Sequence, residues 1–313
     1  SRSQSTPAPL NGPYLTRCME DKTSVLSEED RILGRRKSRY AGEEYVPISI
    51  YPLCRAVTEN ATSTNEGCHV FTARLCPSGE LGVAKIAAVT SPEEINVLRK
   101  FGFYGYAPGE ERWQPDSAGA FHPEPDVIYL FDTEIFFLLH SLGCLRVEIP
   151  RSLIPTQANQ ETVISPVRVL WDLLCAHSVQ TIGHAAAPLI SPASACPFSA
   201  RYAAYVYYRS RGWIVRPALS LGAVDFLLYA QGPPWRHAAY AVLVLCYRTA
   251  ESTATSSVTA HLRVISGVAK QLILCWVRED EEFDNASLID RPWDVALKSL
   301  VQETLVSRNL QTT

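Results

Sequence analysis

Apolar residues in this chain fall into short runs separated by turn-forming stretches, a spacing that predicts a mixed α/β protein. Residues 48–54 and 68–75 are predicted strands. The 91–101 stretch opens with SPEE, a serine cap followed by early acids, and predicts a helix. Residues 107–125 are rich in Gly, Pro and charge and predict a long loop. Residues 132–142 are apolar on nearly all faces and end at Gly143, which predicts a buried helix with a glycine cap. Composition is mixed and loop-like over 148–197, apart from a helix predicted at 167–179. An apolar run at 223–229, punctuated by Asp225, predicts a strand. Gln231-Gly232-Pro233-Pro234 cannot continue it, because prolines lack a donor and glycine favours a turn. A second buried strand is predicted at 237–247. Val258, Leu262, Ile265 and Ala269 follow helical spacing, and QLILCWV at 271–277 predicts a third buried strand. The 296–306 segment reads as helix-like, and the acidic 279–284 run as an exposed loop.

These elements make an α/β chain of two domains. Residues 1–45 form a polar, flexible segment and 46–150 an amino-terminal α/β domain. Residues 151–197 link it to a carboxyl-terminal domain at 198–313, a small mixed sheet flanked by helices.

The pattern sets Tyr229 at the end of one strand, His237 at the start of the next, and Lys270 at a helix-to-strand junction. Strand ends beside loops are common positions for reactive groups. A phenol, an imidazole and an ammonium together can move protons and neutralise a phosphate without a metal. Such chemistry suits an RNA-cutting enzyme that uses the substrate's own 2′-hydroxyl as nucleophile. Taken singly, each residue has an ordinary reading: strand packing for the tyrosine, a structural hydrogen bond for the histidine, a helix-end cation for the lysine.

The surrounding residues carry a resemblance. Residues 202–245, YAAYVYYRSRGWIVRPALSLGAVDFLLYAQGPPWRHAAYAVLVL, resemble the catalytic domain of tRNA-splicing endonuclease subunits. The shared features are a tyrosine-rich helix, an Arg-x-x-Gly-Trp-type turn at 209–213, a Gly-x-x-Asp-Phe strand at 222–226, then the tyrosine, a Gly-Pro-Pro loop and a His-Ala-x-Tyr strand. The Gly-Pro-Pro loop points to the subunit type that cuts the 5′ splice site rather than its 3′-cutting paralogue. Residues 126–147 and 95–113 are similar to the family's amino-terminal segments.

By this resemblance Tyr229, His237 and Lys270 form the catalytic triad. The phenol takes the 2′-hydroxyl proton, the imidazole protonates the departing 5′-oxygen, and the ammonium stabilises the pentacoordinate phosphate. Arg263 matches an RNA-binding arginine that sandwiches a base with an aromatic residue near the carboxyl terminus. Asn309 occupies that aromatic position here, and Trp293 is the nearest alternative. The resemblance implies pre-tRNA as substrate and a heterotetramer. In it, a non-catalytic subunit pairs through terminal strands, and a second pair holds the other active site. The alternatives are the paralogous 3′-site catalytic subunit, a catalytically inactive scaffolding subunit of the same complex, and a generic RNA-binding module.

Composition changes the picture at a few points. With 313 residues and 47% hydrophobic content, the chain can build two real cores. Its net charge of −3 is unexpected for an RNA enzyme acting alone, so partners are expected to supply much of the RNA grip. Arg201, Arg209, Arg211, Arg216, Arg236 and Arg263 are expected to form a local positive face. The run Arg35-Arg36-Lys37-Ser38-Arg39 reads as a solvated segment, a phosphate contact or a nuclear-localisation signal, and a nuclear location is expected. Nine cysteines without a Cys-x-x-Cys pair, several inside apolar strands, predict buried free thiols in a reducing compartment. Cys68, His69 and Cys76 are too few for a zinc site, so no metal and no cofactor is expected. Asn60 and Asn285 begin glycosylation-type triplets, but nothing else points to secretion. No run reaches membrane-spanning length and no signal peptide opens the chain; as it begins at Ser1, an initiating segment is expected before it.

Overall fold

A computed structural model describes residues 28–37, 71–76, 86–108, 125–150, 166–180, 196–218, 224–233, 235–246, 263–265, 270–278 and 290–306. The strand expected at 48–54 and the acidic loop at 279–284 lie outside these residues, as do residues 68–70 and most of the expected 107–125 loop.

The first half is built on a four-stranded sheet of order β3-β2-β1-β4. Its strands are β1 (Phe71–Leu75), β2 (Ile86–Val89), β3 (Ile128–Phe131) and β4 (Leu145–Glu148). Phe71, Ala73 and Leu75 alternate inward along β1. Ahead of β1, a short helix α1 (Glu28–Leu33) leads into an extended stretch to residue 37. Helix α2 (Pro92–Lys100) starts where expected: the Ser91 hydroxyl accepts from the Glu94 amide, and Ile95 and Leu98 are buried. Helix α3 (Asp132–Phe136) runs on as a wide π-turn through Ser141, and Gly143 follows at φ +63°. Its buried aromatics match the expected all-round apolar helix.

Helix α4 (Pro166–Gln180) falls at the predicted 167–179. Leu170, Trp171 and Leu174 are buried, and the Trp171 ring lies 4.9 Å from that of Phe136.

The carboxyl-terminal half is a five-stranded sheet of order β5-β6-β7-β8-β9, antiparallel except for the β7–β8 pair. The strands are β5 (Ile214–Pro217), β6 (Phe226–Tyr229), β7 (Tyr240–Cys246), β8 (Gln271–Arg278) and β9 (Leu300–Val306). One face packs on α5 (Phe198–Ser210) through Tyr202, Tyr205 and Tyr208. The other carries a smaller core in which Ala241, Leu243, Leu245, Leu272 and Leu274 surround Ile265. β7 and β8 are thus covered on both faces, which explains their unbroken apolar sequences.

Three boundaries differ from the sequence reading, the first being that β6 begins at Phe226 and not at residue 223. The 296–306 segment is not one helix: α6 (Asp294–Lys298) stops at Ser299, and 300–306 pairs with β8 along seven residues. LVQETLV carries apolar pairs at both ends and so lacks a clean period of two. The unpaired backbone of β8 decides its conformation. β8 itself is therefore an inner strand, in line with the buried strand expected at 271–277. Likewise β7 begins at Tyr240, because the His237 amide is committed elsewhere, to the Arg35 carbonyl at 2.9 Å. Of the thiols expected to be free and buried, Cys144, Cys196, Cys246 and Cys275 are both.

The two halves share a principal core. Phe136 meets Tyr202 edge-on at 5.0 Å and Phe137 meets Tyr205 at 5.4 Å. Beside them Arg201 on α5 pairs with the buried Asp132 on α3.

Candidate active site

Strand register brings Tyr229, His237 and Lys270 to the same end of β6, β7 and β8. Leu228 on β6 lies opposite Tyr240 on β7, and Tyr240 lies beside Gln271 on β8. Tyr229 directly follows the first of this row, Lys270 directly precedes the last, and His237 stands three residues before the middle one. With strands about 4.8 Å apart, a row across three of them spans roughly 10 Å. The bond from the Ala239 amide to the Leu228 carbonyl (3.1 Å) and that from the Gln271 amide to the Ala239 carbonyl (3.1 Å) hold this end together. Lys270 caps a segment containing Arg263 and Ile265 by donating its amide to the Ile265 carbonyl at 3.3 Å.

The loop between Tyr229 and His237 is pinned from the amino-terminal half. Gly232 has φ +88°, and a Cβ there would lie 2.5 Å from the Phe103 ring. Phe103 sits at φ 57° in the tight turn Gly102 to Gly105, an uncommon conformation for a residue with a side chain. What holds the turn is a buried polar cluster. Arg209 donates to the Gly102 carbonyl (3.0 Å), the Val215 carbonyl (3.1 Å) and the Tyr205 hydroxyl (3.0 Å), and stacks on Tyr104 at 4.3 Å. Arg216 donates to the Gly105 carbonyl at 3.1 Å. Glu134 accepts from the Gly105 and Phe131 amides at 3.2 and 3.0 Å. Burial raises the Glu134 carboxyl pKa, against the backbone bonds and the charges of Arg216 and Arg209.

The loop is pinned a second time by residues 28–37. Arg236 is 4% exposed. It donates to the Gly34 carbonyl (2.8 Å), to Gln231 (2.9 Å) and to Asp30 (3.1 Å), and pairs with Glu29. The Trp235 carbonyl accepts from the Lys37 amide at 3.0 Å. Thus residues 34–37, expected as part of a solvated flexible segment, lie along the His237 loop. Nothing in hydropathy marks them: a helix of polar residues ahead of a glycine and cations looks the same whether it docks or not.

The expected positive face of arginines does not form. Arg209, Arg216 and Arg236 are buried, serving carbonyls and carboxylates that would otherwise lack donors, and Arg201 is largely buried against Asp132. Arg211 stacks on Tyr207 at 3.4 Å. Arg263 is exposed, as its expected role requires. Trp293 is no stacking platform, being buried against His140 (5.2 Å) and Phe136 (6.3 Å). Asn309 lies outside the described residues.

Electrostatics at the site is cationic. The His237 ring is solvent-accessible yet crowded. Desolvation lowers its pKa from the ordinary value, and the charges of Lys37, Lys270 and Arg35 lower it further. Partial burial lowers the Lys270 pKa. At the far end of β6 from Tyr229, Asp225 accepts from the Val244 amide at 2.7 Å, and its burial pushes the carboxyl up to about 7. Among the described residues no three His, Cys, Asp or Glu side chains gather as a metal site, and no helix is long and apolar enough to cross a membrane.

A tyrosine, a histidine and a lysine at one end of a sheet, beside a pinned loop, are groups able to move protons and neutralise a phosphate. Residues 198–285 match the tRNA intron endonuclease catalytic C-terminal domain. The similar proteins are more particular. The tRNA-splicing endonuclease subunit Sen2 of Rattus norvegicus is 29% identical over 181 residues, 56% of this chain and 32% of the rat protein. The probable subunit sen2 of Schizosaccharomyces pombe is 32% identical over 165 residues, 50% of this chain and 40% of its own length. The subunit SEN2 of Eremothecium gossypii is 42% identical over 103 residues, 30% of this chain and 28% of its own. The matched region thus spans well under half the length of each of these relatives.

Proposed function

We propose that this chain is the catalytic subunit of a tRNA-splicing endonuclease that cuts pre-tRNA at the 5′ splice site. The observation carrying this reading is the convergence of Tyr229, His237 and Lys270 at one end of the sheet, within the region that matches the endonuclease catalytic domain. Tyr229 takes the 2′-hydroxyl proton at the cut. The 2′-oxygen attacks phosphorus, the bond to the 5′-oxygen breaks, and His237 supplies the proton that oxygen needs. Lys270 neutralises the extra charge on the phosphorane. The products are a 2′,3′-cyclic phosphate and a 5′-hydroxyl. Arg263 contacts the RNA. The chain works in the nucleus within a heterotetramer, pairing with a non-catalytic subunit through its terminal strand. In support, β9 is the outer strand of its sheet and exposes Leu300 and Leu305.

The test is the product and its metal requirement. With the RNA kept folded by a polyamine, the complex is expected to cut in excess EDTA and leave cyclic-phosphate ends. Ends bearing a 5′-phosphate, or activity restored only by a divalent ion bound at this end of the sheet, would overturn the reading.

A pH dependence follows from His237. As general acid it must be protonated, so activity falls as pH rises through its pKa. In the free enzyme burial and three cations lower that pKa. A bound phosphate among those cations opposes their effect and raises it. The alkaline limb of kcat is therefore expected at higher pH than that of kcat/KM, given chemistry-limited turnover. Coincident limbs in a pH series on the whole complex would contradict this.

A further inference from the structure

We propose that residues 34–37 belong to the active site, as a strap that places Arg35 and Lys37 on the RNA phosphates flanking the cut. The inference rests on the functional reading above and extends it. The strap runs antiparallel along the reactive loop, with Arg36 opposite Arg236. That register sets Arg35 across from His237 and Lys37 across from Trp235, and the two bonds from the His237 amide to the Arg35 carbonyl (2.9 Å) and from the Lys37 amide to the Trp235 carbonyl (3.0 Å) close the pairing. Residues directly opposite in such a pairing hold their Cβ atoms about 5 Å apart. The approach is close enough that Gly34, at φ +85°, has no room for a side chain: a Cβ would lie 2.0 Å from the His237 carbonyl oxygen.

Alternation separates the charges. Arg236 turns inward and is neutralised by Glu29 and Asp30. Arg35 and Lys37 fall on the His237 side, and theirs are the strap charges felt at its imidazole, together with that of Lys270. Three cations around one histidine, in a chain of net charge −3, form a local site for a polyanion. The arginines of the carboxyl-terminal half do not supply it, since most are consumed inside the fold. Strap and loop are about 200 residues apart in sequence, |i−j| 202 between Gly34 and Arg236, so the site is completed only by the folded chain.

The experiment uses the full chain co-purified with its partner subunits and compares Arg35→Ala/Lys37→Ala with the parent on pre-tRNA. At moderate salt the double variant is expected to bind RNA on the order of 10-fold more weakly. Its plot of log affinity against log salt should be shallower by about 1.4, since each single-strand phosphate contact contributes about 0.7. With two cations gone, the alkaline limb of kcat/KM should move to higher pH; rehydration of a loosened loop would move it the same way, so the salt slope and the charge-preserving swap are what separate charge from support. Arg35→Lys/Lys37→Arg is expected to keep all three properties at parental values. The exposed pair Arg74 and Arg146, on β1 and β4, serves as charge control, and changing both to Ala should leave affinity and rate at parental values. A double variant with parental affinity, salt slope and pH limb overturns the inference alone, and so does a control that weakens binding equally. A parental complex that yields no cyclic-phosphate ends from pre-tRNA takes down the functional reading as well.

Discussion

Replacing His237 with alanine is expected to slow 5′-site cleavage by about 10²–10⁴-fold while leaving pre-tRNA binding nearly unchanged, the usual contribution of a general acid. His237 precedes β7, and its backbone is held independently of its ring: the amide by Arg35, the loop by Arg236 and Phe103. Removing the imidazole therefore removes the proton donor and leaves the scaffold. The loss should appear in single-turnover rates of the assembled complex. A substrate in which sulfur replaces the leaving 5′-oxygen needs no protonation to depart, and it should recover most of the loss in the variant. Cleavage of the ordinary substrate at the parental rate would remove His237 from the mechanism.

Arg209→Met should destabilise the protein by about 3–5 kcal/mol, the range for breaking a buried charge network by deleting one partner. The guanidinium is fully enclosed and serves Gly102, Val215 and Tyr205 at once, while lying on Tyr104. Methionine fills much of the volume but donates nothing. Two buried carbonyls then lose a donor and Glu134 loses a compensating charge. The damage reaches function, because the freed turn carries Phe103, which packs on Gly232 beside the reactive histidine. Denaturant unfolding at fixed complex concentration measures the change; a midpoint equal to the parent's would show that the cluster is not what holds the turn.

The sequence by itself determined the elements with strong local punctuation, α2, α4, β7 and β8 among them, and set Tyr229, His237 and Lys270 beside strand ends. SPEE capped α2 as it must, because a serine oxygen and the first-turn amides are sequence neighbours. The Gln-Gly-Pro-Pro break forced a loop between Tyr229 and His237, because proline cannot sit inside a sheet ladder. Lys270 fell just ahead of β8 for the same local reason, the change from helical to unbroken apolar spacing.

What only the tertiary structure decided was the use made of charge and of edges. Six carboxyl-terminal arginines look alike in sequence, yet Arg209 and Arg216 bind a distant turn, Arg236 clamps the amino-terminal strap, and Arg263 faces solvent. A cation's role depends on which carbonyls and carboxylates lie within about 3 Å, and those partners come from more than 100 or 200 residues away. Likewise LVQETLV became β9 because β8 offered an open edge, and residues 34–37 came to lie along the His237 loop because that loop offered backbone partners. Local pattern specifies which conformations a segment favours; long-range hydrogen bonding chooses among them, since a buried backbone group without a partner costs more than the difference in local preference.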